Sequence, residues 1–203
     1  TVEGYVKVYN NPNLTSLRGL ENLQNCQIVS VLKNSSLISL QGLNQLDELK
    51  ILVVSENDLL TDLNGLQGLE RLSTAIINEN PSLIDMSGFN NVNYVEDDLI
   101  VQYNEQLSSL NGFNGINEIG GDIALIGNPQ LTNLMAFNNL SSMGGNLKIK
   151  SNNALPSLNG FEGLSSISGG IQITENSNLT TLNGIHNITA IGVNKPIEIG
   201  TTI

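Results

Sequence analysis

The stretch IGGDIALIGNPQLTNLMAFNNL, residues 119–140, carries the plan of the whole chain. Ile123 and Leu125 alternate with Ala124 and Ile126, the two-residue period of a short strand with one face inward. Asn128 follows, then Leu131, Leu134, Phe137 and Leu140 at three-residue steps. A segment this short cannot bury so many apolar side chains by itself. It needs copies of itself stacked above and below.

The copies are present. With the glycine of the phrase L-x-G-[LFI] as origin, the series is Gly19, Gly42, Gly65, Gly88, Gly112, Ala136, Gly160 and Gly184, three steps of 23 residues and then four of 24. Eight residues before each origin stands asparagine: Asn11, Asn34, Asn57, Asn80, Asn104, Asn128, Asn152 and Asn176. Five before it stands leucine in every coil, from Leu14 to Leu179. The strand pair lies further upstream, running from Val6/Val8 and Val29/Val31 to Leu147/Ile149 and Ile171/Ile173. Stacked at ~4.8 Å, eight coils rise roughly 38 Å. The pattern therefore predicts a right-handed parallel β-helix of the leucine-rich-repeat kind, with eight coils of 23–24 residues. The asparagine column is expected to point inward and satisfy loop backbone from coil to coil.

Domain boundaries follow from where the columns stop. Residues 1–188 read as the solenoid. Residues 189–203 lack the asparagine and leucine columns and read as a partial C-terminal coil or cap, with Pro196 suited to a sheet edge. At the other end Thr1 leads straight into Val2, Val6 and Val8 without a cap. Such a start suggests a mature product or a cut fragment, or an end that meets another molecule. The glycine pairs Gly120/Gly121, Gly144/Gly145 and Gly169/Gly170 are expected to supply positive φ at a corner. Coils two to four lack the pair, so their corner must be built differently.

Phrases such as residues 119–140 and ISGGIQITENSNLTTLNGIHNI, residues 167–188, resemble the repeats of receptor L domains, the leucine-rich ligand-binding modules of the insulin and epidermal growth factor receptors. The resemblance covers essentially the whole chain and implies a β-helical recognition module. Receptor L domains carry disulfide-bonded caps, whereas this chain has one cysteine. Its coils are also more regular, closer to free-standing repeat proteins of microbial surfaces. No binding residue is carried over from the family.

Composition bears on the partner. The net charge of −11 disfavours nucleic acid and anionic membrane surfaces, both of which call for clustered Lys and Arg. No run of 18 apolar residues offers a membrane span. Catalysis needs a nucleophile with a base, an acid–base pair or a metal, and no such constellation or cofactor motif is visible. His186, the one histidine, reads as a surface turn residue. Cys26 stands in the column filled elsewhere by Leu49, Leu72 and Val95, which suits a buried small hydrophobe, with a reactive thiol as the other reading. The run Glu96-Asp97-Asp98 with Asp122 reads as a solvated charged edge or a calcium site. Sequons at Asn13, Asn34, Asn139, Asn178 and Asn187 would suit a secreted protein.

The outward strand positions give the candidate site. Twelve residues before the origins the series runs Lys7, Ser30, Val53, Ile76, Ile100, Ala124, Lys148 and Gln172. Val53, Ile76, Ile100 and Ala124 make an apolar stripe, widened by Ile28, Leu32, Ile51 and Ile126. Contiguous apolar area on a solenoid sheet is where a partner docks, although β-branched residues also suit strands for their own sake. The expectation is a non-enzymatic, extracellular or cell-surface module that takes a protein or glycan on this face. The alternative is a structural protein that self-associates through its terminal coils.

Overall fold

The fold comes from a computed structural model, which describes residues 4–200. Residues 1–3, Thr1 and Val2 among them, and residues 201–203 lie outside the described residues. Among the described residues twelve strands form in chain order: β1 (Tyr5–Tyr9), β2 (Ile28–Leu32), β3 (Glu48–Ser55), β4 (Arg71–Asn78), β5 (Tyr94–Val95), β6 (Leu99–Gln102), β7 (Glu118–Ile119), β8 (Ile123–Ile126), β9 (Ser142–Met143), β10 (Leu147–Lys150), β11 (Ile171–Thr174) and β12 (Ile197–Gly200). The main sheet runs β1-β2-β3-β4-β6-β8-β10-β11-β12, and every pairing is parallel. The chain is thus a parallel β-solenoid of about eight turns with almost no helix.

Register explains why the stack is stable. Val29 pairs with Leu52, Leu52 with Ala75, Ala75 with Leu99 and Leu99 with Ile123, so each inward row lies on its own equivalent. The column leucines Leu37 to Leu155 are fully buried, as are Phe89, Phe113, Phe137 and Phe161. The phenyl rings stack in two pairs, Phe89 on Phe113 at 4.8 Å and Phe137 on Phe161 at 5.1 Å. Offset stacking of this kind adds to the area burial.

The asparagines form the inward ladder. Asn34, Asn57, Asn80, Asn104, Asn128 and Asn152 are fully buried. Asn57 is representative. Its Nδ2 donates to the Ser55 carbonyl (3.0 Å), to Val31 in the coil before (3.1 Å) and to Asn80 Oδ1 in the coil after (3.1 Å). Its backbone N–H donates to the same Asn80 Oδ1 at 3.2 Å. Each asparagine thereby closes the strand end of its neighbours, and the pattern continues to Asn176. The residue just before it takes left-handed φ in coil after coil: Asn10, Lys33, Glu56, Glu79, Tyr103, Gly127, Ser151 and Glu175, all between 54° and 65°. Only one of the eight is glycine.

A second ladder lies across the corner. The first residues of β3 and β4 pair with each other, then β4 with β5, β5 with β7 and β7 with β9. In coils three and four one long strand runs through the corner, with Leu72 three residues before Ala75. From coil five on, the corner holds one extra residue, as between Val95 and Leu99, and the strand breaks in two. That single insertion is the step from 23 to 24.

The glycine pairs at this corner do not have positive φ, contrary to the expectation from sequence. They are there for closeness. A Cβ on Gly144 would fall on the Gly120 carbonyl, and one on Gly169 on the Gly145 carbonyl. Positive φ belongs instead to the origin glycines, such as Gly42 (121°), Gly112 (123°) and Gly160 (126°). Gly88 and Ala136 are exceptions, because their coils turn through 3-10 helices at Ser87–Phe89 and Met135–Phe137. A negative φ there is what admits alanine at 136.

Residues 189–200 add a ninth rung, in which Ile197 pairs with Ile171 and Ile199 with Ile173. Ile197 and Ile199 are 57% and 49% exposed.

Candidate binding face

The outward side of the main sheet is a set of parallel columns. The central one runs Lys7, Ser30, Val53, Ile76, Ile100, Ala124, Lys148, Gln172 and Glu198, each paired in register with the next. Val53, Ile76, Ile100 and Ala124 are half-buried and touch solvent along one line. Ile51, two residues upstream of Val53 and so on the same outward side, is 37% exposed. Ile126 points outward by alternation but is only 9% exposed. Ile28 and Leu32 are half-buried. Ala124 is the one short side chain between Ile100 and Lys148, and a recess of about 300 Å³ opens beside it, bordered by Asp122, Lys148, Gln172 and Glu198.

Acidic residues flank the stripe on both sides. On the corner side, Glu96 and Asp97 are exposed, and Asp98 and Asp122 are half-buried. Two of these carboxylates hold backbone: Asp98 Oδ1 accepts the Asp122 N–H (2.8 Å) and Asp122 Oδ1 accepts the Asn146 N–H (2.6 Å). Asn146 Oδ1 takes the Gly170 N–H in turn (2.9 Å), so a short outer Asx ladder parallels the inner one. Glycine at 170 ends it, and a Cβ there would lie 2.8 Å from the Pro196 carbonyl oxygen. Across the stripe, beyond the strand ends, Glu56, Asp58, Glu79 and Glu105 line a shallow recess with Pro81 and Tyr103. Tyr103 is 51% exposed, and a Cβ on Gly127 would lie 2.6 Å from its ring.

The remaining candidates have structural positions. Cys26 is buried, and its thiol lies 3.0 Å from the Ile28 carbonyl. His186 is exposed, and its Nδ1 accepts the Gly184 N–H at 3.3 Å. Glu21, Asn44, Gln67 and Glu162 do the same for Gly19, Gly42, Gly65 and Gly160. Backbone N–H groups at Glu21 and Gly19, aided by Arg18, hold the Glu21 carboxyl below its ordinary range. Asn34 is a ladder residue, closed to any glycan. Asn13, Asn139, Asn178 and Asn187 are all exposed, and Asn139 and Asn187 donate to the carbonyls of Asn114 and Glu162. Among the described residues, no three His, Cys, Asp or Glu side chains gather as metal ligands. No helix among them is long and apolar enough to cross a membrane.

Fold and face together define an asparagine-laddered β-solenoid with an apolar outer stripe. No family model matches the chain, and no curated protein or solved structure matches it either.

Proposed function

We propose that this chain is a recognition module that binds a protein or glycan on the outer face of its main sheet, in an extracellular or cell-surface setting, and that it is not an enzyme. One observation carries the reading: Val53, Ile76, Ile100 and Ala124 stand in register on four successive rungs, partly open to solvent, with Ile51 beside them. A solvated sheet face has polar side chains available to it at every one of those positions, and Lys7, Lys148 and Gln172 use them elsewhere in the same column. Apolar residues confined to the middle rungs are what a docking surface requires. The groups that chemistry would need, His186 and Cys26, are occupied by turn and core contacts, which supports binding over catalysis.

The test is a selection of displayed peptides and arrayed glycans on the whole chain, counter-screened on an Ile76→Lys/Ile100→Lys variant that retains its circular dichroism. Ligands that hold the wild type and lose the variant support the reading. Ligands indifferent to the two substitutions would place recognition elsewhere.

A second reading has its own observation. The Ile197 and Ile199 side chains and the outer edge of β12 form a face able to accept a further rung. Stacking of copies through that face would make the chain a structural protein. Light scattering that grows with concentration, and is suppressed by Ile199→Lys, would favour it.

A further inference from the structure

We infer that the occupant of the outer sheet face is a cationic amphipathic helix lying along the apolar column, across the strands; the inference rests on the recognition reading above. Two geometric matches and one of charge carry it.

The first match is spacing. Val53, Ile76, Ile100 and Ala124 follow one another at the strand separation of ~4.8 Å. A helix presents a side chain to one line every three to four residues, a repeat of ~5.4 Å per turn. Over three intervals the two patterns drift by only ~2 Å. An extended peptide laid along the same column repeats at ~6.8 Å and drifts by ~6 Å. Side chains of a helix can therefore meet all four rungs, whereas those of a strand cannot. The apolar row spans the three intervals between four rungs, ~14 Å, which corresponds to roughly ten helical residues.

The second match is width. Asp98 and Tyr103 mark the two margins of the face, five residues apart along one strand, or ~16 Å. A helix with its side chains is ~10–12 Å across. It fits between the margins with room for long polar side chains on either flank.

The margins set the charge of those flanks. Glu96, Asp97, Asp98 and Asp122 lie on one side, and Glu56, Asp58, Glu79 and Glu105 on the other. Among the described residues, Lys33 stands 3.5 Å from Glu56 as the ion-paired cation of these two banks. Lysine or arginine on both sides of an apolar stripe is thus complementary, and the net charge of −11 draws such a helix in from solution. Ser30 and Lys148 bound the apolar run of the column, and the charge of Lys148 keeps a cationic helix to the middle coils.

The experiment uses the whole chain and three 14-residue helical peptides with blocked ends. One has leucine on a single stripe and lysine elsewhere, the second replaces lysine with glutamate, and the third has the first peptide's composition with leucine scattered. Fluorescence anisotropy is read at low and high salt, on the wild type, on Ile76→Lys/Ile100→Lys and on Glu79→Gln/Glu105→Gln. The lysine amphipath should bind at least ~tenfold more tightly than either control, weaken with salt, and lose ~tenfold on each variant. Equal binding of the glutamate peptide, absence of binding by the lysine amphipath, or binding that both variants leave unchanged would overturn the proposal. An oligosaccharide or acidic peptide that binds the wild type and loses the isoleucine variant would overturn the helix while leaving the face a recognition surface. The milder glutamine variant serves if the lysine pair impairs folding.

Discussion

At the scale of single residues the ladder asparagines are the most exacting positions. Asn104 Oδ1 accepts from both the backbone and the side chain of Asn80, and its Nδ2 donates to the carbonyls of Ile77 and Gln102. Asn104→Ala leaves these groups unpaired in a fully buried place and is expected to cost ~1–3 kcal/mol in urea unfolding. Asn104→Asp keeps the acceptor but removes the donors and buries a charge, so its loss should be larger. The origin position offers a paired contrast. Gly112→Ala puts a Cβ on the Met86 carbonyl at φ 123° and should cost at least ~1–3 kcal/mol in the same assay. Ala136→Gly, in a 3-10 turn of ordinary φ, should cost only ~0.5–1 kcal/mol. The asparagine column was legible in the sequence because its chemistry admits one side chain. The left-handed column beside it was not, since Lys33, Glu79, Tyr103 and Ser151 share no side-chain property and the constraint is on backbone alone. For the same reason the corner glycines do not have the positive φ that their pairing predicts: a sequence shows that a Cβ is absent, not whether torsion or closeness forbids it.

Among the elements, the corner between the two ladders shows how one inserted residue reshapes a coil. In β4 the chain passes from Leu72 to Ala75 without leaving the sheet; between β5 and β6 it bulges through Glu96, Asp97 and Asp98. The exposed backbone needs an acceptor, and Asp98, Asp122 and Asn146 provide it one coil apart. Acceptor geometry rather than charge is what this position uses. Asp122→Asn, which retains Oδ1, should therefore leave the melting temperature nearly unchanged, whereas Asp122→Ala should cost ~1 kcal/mol. Equal losses in the two variants would mean that the carboxylate acts through its charge. The short strands β5, β7 and β9 are not legible in the sequence because each contributes one inward residue per coil, too few to show a period. The main-sheet strands, with two inward residues each, were plain.

The whole molecule is a one-dimensional stack in which each coil rests on its neighbours. Its eight-coil body was fully readable from the columns, because repetition turns weak local signals into strong ones. The outer face was readable in part. Val53, Ile76 and Ile100 stand where alternation puts them, and Ile51 is open beside them. Ile126 is closed off, an outcome that depends on neighbours alternation does not describe. One acidic margin, Glu96-Asp97-Asp98 with Asp122, is readable in the sequence as a charged edge, whereas the other is visible only once the coils are stacked, since Glu56 and Glu105 are far apart in sequence and share one recess. The claim that joins these scales is that the middle of the outer sheet face is the binding surface. Its most direct test labels the isoleucine δ-methyl groups and follows them by NMR as the lysine amphipath, or a ligand from the selection, is added. Shifts should concentrate at Ile51, Ile76 and Ile100, while Ile38 and Ile84, exposed outside the main sheet, and Ile197 and Ile199 on β12 stay in place. Shifts confined to Ile38 and Ile84, or to Ile197 and Ile199, would contradict the account and move recognition to another face or to the end of the stack.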